Sequence, residues 1–99
     1  MIRHTVTFSL NHEKGSDRER QFLADAQRIL SAIAGVEQFE VLRQTGAKNN
    51  FSFGLSMEFA DQQAYDFYND HPDHVAFVRD RWLPEVKEFL EIDYEPLAG

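Results

Sequence analysis

The nine residues FSFGLSMEF, Phe51 to Phe59, decide the fold. Phe51, Phe53, Leu55, Met57 and Phe59 fall on one face, and Ser52, Gly54, Ser56 and Glu58 on the other. Strict period two, with aromatic and aliphatic residues on one side, is the signature of a half-buried strand. The preceding stretch VEQFEVLRQT, residues 36–45, reads as its partner, with Phe39 and Val41 on one face and Val36 and Leu42 on the other. GAKNN between them is turn chemistry, so the two strands form an antiparallel hairpin.

Outward from the hairpin, IRHTVTFSL, residues 2–10, alternates just as cleanly. Ile2, His4, Val6, Phe8 and Leu10 share a face, which sets His4 among apolar neighbours. NHEKGSDRE is a turn region, and Ser16 or Asp17 starts a helix. Phe22, Ala26, Ile29, Leu30 and Ile33 recur at helical spacing, and Gly35 is the helix stop. After the hairpin a short helix follows Asp61, with Ala64, Tyr65, Phe67 and Tyr68 inward. Another begins at Pro72, where a missing N–H costs nothing, and runs to about Trp82 before Pro84 breaks it. KEFLEIDYE is the last strand, Leu90, Ile92 and Tyr94 alternating with Glu91, Asp93 and Glu95.

The order β-α-β-β-α-(α)-β predicts an α+β, ferredoxin-like protomer: a four-stranded antiparallel sheet with helices on one face, in one domain over 1–99. The uncovered face carries Val36, Leu42 and Phe89, a semi-apolar surface suited to pairing with a second copy.

The net charge of −7 and the lack of a basic run argue against nucleic acid and anionic membranes as partners. With no cysteine there is no disulfide, thiol catalysis or thiolate metal site, which fits a reducing cytoplasm. The N-terminal residues lack the apolar core of a signal peptide, and no apolar run is long enough to span a bilayer. The expectation is a soluble cytoplasmic protein.

Candidate chemistry concentrates in DFYNDHPDHVAF, residues 66–77. His74 lies in the first turn of its helix on the side of Phe77 and Val78, which faces the sheet. It reads either as a general acid or base, since imidazole titrates near neutrality, or as a buried histidine bonded to the protein itself. His4 carries the same two readings. Tyr68 is either a proton donor beside them or a core aromatic. His71 belongs with Asp70 and Asp73 to a helix N-terminus. No third ligand accompanies the HPDH pair, so no metal is expected, and with no phosphate loop, nucleophile elbow or dinucleotide fingerprint no cofactor is expected either. A small apolar pocket lined by Phe53, Leu55, Phe77 and Val78 is the candidate ligand site.

Three stretches together resemble one known family. The early histidine strand IRHTVTFSL, the HPxHxxF element in YNDHPDHVAFVRD and the ending EFLEIDYE are similar to the stress-responsive A/B-barrel (Dabb) family, over essentially the whole chain. The resemblance implies a ferredoxin-like protomer that pairs sheet to sheet into a dimeric α/β barrel. Many members have no assigned reaction. Some plant members resemble cofactor-free polyketide cyclases, whose motif positions here are His4, Tyr68 and His74. Such members also tend to carry polar groups on the central strand, where this chain has Phe51, Phe53, Leu55, Met57 and Phe59. The resemblance thus implies a stress-related protein that binds a small apolar or aromatic molecule. The alternative is a cofactor-independent enzyme, with His74 as base, Tyr68 as proton donor and His4 as positioning group. Aldol cyclisation is one such reaction; cofactor-free monooxygenation is another, by fold analogy alone.

Overall fold

The computed structural model describes residues 1–98, so Gly99, the last residue of the single-domain span, lies outside the described residues. The elements in order are β1 (Ile2–Leu10), α1 (Asp17–Leu30), β2 (Glu37–Arg43), β3 (Phe53–Phe59), α2 (Gln62–Asp70), α3 (Pro72–Phe77), a π-helical turn (Val78–Trp82), α4 (Leu83–Glu85) and β4 (Val86–Tyr94). The strands form one antiparallel sheet in the order β2-β3-β1-β4, the ferredoxin-like arrangement. The shortest dimension, 18 Å, is that of one sheet with one layer of helices.

Register explains the core. His4 stands opposite Met57 and Asp93, Val6 opposite Leu55 and Glu91, and Phe8 opposite Phe53 and Phe89. These rows form the covered face. Phe22, Ala26 and Leu30 of α1 lie on it at i, i+4, i+8, with Tyr68, Phe77 and Trp82 beside them. Phe22 touches Phe8, Phe77 and Trp82, with ring centroids 5.6–6.1 Å apart. Each fully buried aromatic of this kind contributes about 1.5–3 kcal/mol.

Helix α1 starts as read: the Ser16 hydroxyl accepts from the Glu19 N–H at 3.2 Å, and the Glu19 carboxylate accepts from the Gly15 N–H at 3.0 Å. It stops earlier than Gly35. Leu30 is its last residue, and Ile33 enters the core from the turn that follows. Gly35 serves that turn instead, with φ +92°. Strand β3 begins at Phe53 rather than Phe51. Strand β2 spans 37–43, with a bulge between Glu37 and Glu40 where Gln38 takes a positive φ; Val36 packs against the core, not on the open face. Phe67 is exposed, because i, i+3 spacing selects Tyr65 and Tyr68 for the inner side of α2.

The helix beginning at Pro72 changes pitch rather than ending at Trp82. The Leu83 N–H reaches back to the Val78 carbonyl, an i to i+5 bond, and helical backbone continues past Pro84 to Glu85. One extra residue in the turn sends Trp82 to the sheet, 4.9 Å from the Phe8 ring, and Arg81 sideways to α1.

The largest departure is on β4. Phe89, assigned to the open face, lies on the covered face, edge-on to Trp82 at 5.6 Å. Glu91 and Asp93 share that face. Leu90, Ile92 and Tyr94 therefore point away from the protein's own helices, 40–54% exposed, Leu90 in a row with Thr7, Gly54 and Leu42, Ile92 with Thr5 and Ser56, and Tyr94 with Arg3 and Glu58. No helix among the described residues is long and apolar enough to cross a membrane.

Candidate functional site

Helix α2 is set on the sheet by two rings. Tyr65 stacks on Phe59 at 5.0 Å with planes 14° apart, and Tyr68 packs on Phe59 at 5.2 Å. The chain then breaks at His71, whose extended backbone is what a following proline demands. The His71 ring caps the next helix, its Nδ1 accepting from the Asp73 N–H at 3.0 Å. This turn brings His74 back over Tyr68, with ring centroids 4.4 Å apart. His74 Nδ1 donates to the Asn69 carbonyl at 3.1 Å, which leaves Nε2 without a proton when the ring is neutral.

A cavity of about 210 Å³ lies between sheet and helices at this point. His4, Tyr68, His74 and Glu91 supply its polar groups. Val6, Leu55, Met57, Phe77, Trp82 and Phe89 are among its apolar walls, with Val78 at the π-helical turn. His4, Tyr68 and His74 thus meet at one space, joined by Leu55, Phe77 and Val78. Phe53 does not: it packs on Phe8 at 5.8 Å and borders a polar hollow by Lys14 and Asn50. It stands two positions before Leu55, a strand rise of about 7 Å, enough to leave the cavity.

Burial sets the protonation states. It is the main cause that pushes the Tyr68 phenol far above its ordinary value, with Tyr65 and Glu91 adding to it, so Tyr68 stays a hydroxyl. Burial also pulls His74 below its ordinary value, against the Asn69 hydrogen bond, so His74 is neutral at neutral pH. No protein group among the described residues occupies the Tyr68 hydroxyl, and no buried side-chain polar atom there lacks a partner. The hydroxyl therefore opens on the cavity. A neutral imidazole that accepts and a phenol that donates, side by side in an apolar space, can move a proton. Among the described residues no cluster of three His, Asp or Glu could hold a metal ion.

Sequence reasoning missed Asp93, Glu91 and the polar role of Tyr65. His4 Nδ1 donates to Asp93 Oδ1 at 2.5 Å, and the Tyr65 hydroxyl donates to Asp93 Oδ2 at 2.8 Å and lies 2.9 Å from His4 Nδ1. The signal for Tyr65 was its i, i+3 relation to Tyr68. None existed for Asp93, which meets His4 only through the pairing of the first and last strands. His12 was also passed over; its Nε2 donates to Glu85 at 2.7 Å.

The sequence model of the Stress responsive A/B Barrel Domain family, Dabb, matches residues 2–96. The chain belongs to this family. It is 66% identical to a Dabb family protein of ferredoxin-like fold from Mesorhizobium loti, with a TM-score of 0.97 over 98% of this chain and 97% of that one. Two more distant structures share the fold. A dimeric ferredoxin-like protein of unknown function from Thermobifida fusca is 22% identical, with a TM-score of 0.79 over 96% of this chain and 90% of that one. A hydroxynitrile lyase from Passiflora edulis is 13% identical, with a TM-score of 0.84 over 99% and 94%. No curated protein matches the chain.

Proposed function

We propose that this Dabb protein binds a small, largely apolar molecule, about one aromatic ring in size, between its sheet and helices. The cavity carries this reading. Apolar cavities of about 150 Å³ accept benzene, and 210 Å³ here leaves room for one or two substituents. A long polyketide chain does not fit that volume within one protomer. Thermal shift with benzene, phenol and benzaldehyde tests the reading. A ligand at a hundred times its Kd adds about 2.7 kcal/mol of stability, a rise of about 10–20 °C for a domain of this size. No rise with any single-ring compound up to its solubility sinks it.

One observation favours a second reading, a cofactor-independent enzyme: the bare Nε2 of His74 and the free hydroxyl of Tyr68 open on the same space. His74 takes a proton from carbon next to a carbonyl, and Tyr68 donates to the developing oxyanion. Hydrogen–deuterium exchange into the methyl group of acetophenone is the measurement. His74→Asn is expected to slow it about 100-fold or more. Exchange no faster than in an imidazole solution of equal concentration would leave a binding protein only.

We also infer that two copies pair through the open sheet face. Leu90, Ile92, Tyr94 and Leu42 form an exposed apolar surface there, flat at Gly54, and the Thermobifida fusca protein of this fold is dimeric. Ile92→Lys is expected to convert the dimer to a monomer in sedimentation; an unchanged sedimentation coefficient would place the interface elsewhere. The lack of cysteine suits a reducing compartment such as the cytoplasm.

A further inference from the structure

We propose that Asp93 and Tyr65 are positioning residues: they hold His4 with its proton on Nδ1 and its Nε2 toward the cavity, making His4 a second proton-transfer group opposite His74. The use of that group rests on the acid–base reading above; the geometry does not.

His4 is buried, and one edge of its ring is spoken for. Nδ1 lies 2.5 Å from one oxygen of Asp93, and the Tyr65 hydroxyl clamps the other oxygen at 2.8 Å. A carboxylate only accepts, so the proton of a neutral His4 sits on Nδ1. The ring also lines the cavity, with its centroid 6.3 Å from that of Tyr68, so the remaining edge, with Nε2, is the one left for a ligand. His74 shares this tautomer but not its backing: its Nδ1 proton goes to a neutral carbonyl. The charged or titratable groups around His4 are Asp93 and Glu91 from β4, Tyr65 and Tyr68 from α2, and His74 from α3. Two imidazoles with different backing divide the labour. Asp93 offsets the charge of an imidazolium at His4, while burial keeps His74 neutral.

The proton balance follows. His74 Nε2 takes a proton from an acidic C–H or O–H of the ligand, leaving the bonding pair on the ligand. Imidazolium His4 gives its Nε2 proton to another atom of that anion and becomes the neutral Nδ1–H form. One proton has moved within the ligand, and His74 returns its proton to His4 through solvent.

Nitrogen-15 spectra of the imidazole rings in the unliganded protein test the positioning. At a pH where the His4 ring is neutral, wild type is expected to show it with a protonated Nδ1 and a bare Nε2. In Asp93→Leu the acceptor is gone, and the Tyr65 hydroxyl, 2.9 Å from Nδ1, becomes a donor to it. The His4 proton is then expected on Nε2, with His74 unchanged, and Asp93→Glu should restore the wild-type pattern. A wild-type His4 carrying its neutral proton on Nε2 overturns the proposal even if Asp93→Leu fails to fold. So does an Asp93→Leu spectrum identical to wild type. Because no ligand is present, failure here is separate from failure of the binding or exchange experiments.

Discussion

Phe22→Ala is expected to lower the unfolding free energy by about 3–5 kcal/mol in a denaturant melt. Phe22 has no exposed surface and sits where every layer of the core meets. Phe8 of the central strand, Phe77 of α3 and Trp82 of the π-helical turn all pack on its ring. Three large rings cannot all close on the space it would vacate, so a cavity remains and adds to the lost burial. A domain of 99 residues has only about 5–15 kcal/mol to lose, so the variant should be near unfolding at physiological temperature. A loss under about 1 kcal/mol would mean that α1 and the sheet repack freely, against the close packing described here.

Arg81→Met should cost roughly 2–4 kcal/mol, because it strips a buried carboxylate. Asp25 is 7% exposed. Its oxygens accept from Arg81 at 2.6 Å, Gln21 at 2.8 Å and Arg28 at 3.1 Å. Arg81 also donates to Glu85 at 2.6 Å, and Glu85 in turn accepts from His12. This network ties α1 to the π-helical turn and to the loop after β1. Methionine keeps the stem packed near Phe22 and removes only the charge and its donors. The Arg81 hydrogen bond is the main reason that Asp25 lies below the ordinary carboxylate value. A depressed carboxylate stabilises the fold fully above its unfolded value, and that share is lost as pH falls through the lower folded value. The gap between wild type and Arg81→Met is therefore expected at neutral pH and should shrink on acidification through the carboxylate range. A gap that does not change with pH would mean that Arg81 acts through packing alone.

The site was half legible. His4, Tyr68 and His74 stand out in the sequence because each is polar at a position whose periodicity points to the core, and His74 follows a proline that starts a helix. Asp93 and Glu91 do not. Among Leu90, Ile92 and Tyr94, alternating acids look like the solvent side of a strand. The structure reverses that reading, since β4 is an edge strand whose Phe89 and Glu91 line the cavity and whose Asp93 pairs with His4. The π-helical turn was equally hidden. The spacing of Phe77, Val78 and Trp82 suits an ordinary helix, and only the demand that Trp82 reach the sheet while Arg81 reaches Asp25 selects the wider turn.

Local chemistry by itself determined the elements of this protein. Period two set the strands, period 3.6 with Ser16 and Pro72 set the helix starts, and their order selected a ferredoxin-like sheet. Which face of β4 meets the helices was decided only in three dimensions. A strand of alternating residues offers two facings, and a one-residue slip in register exchanges them. Pairing of β1 with β4 chose the facing that sets Asp93 beside His4 and turns Leu90, Ile92 and Tyr94 outward. That choice joins residues 89 positions apart in the chain.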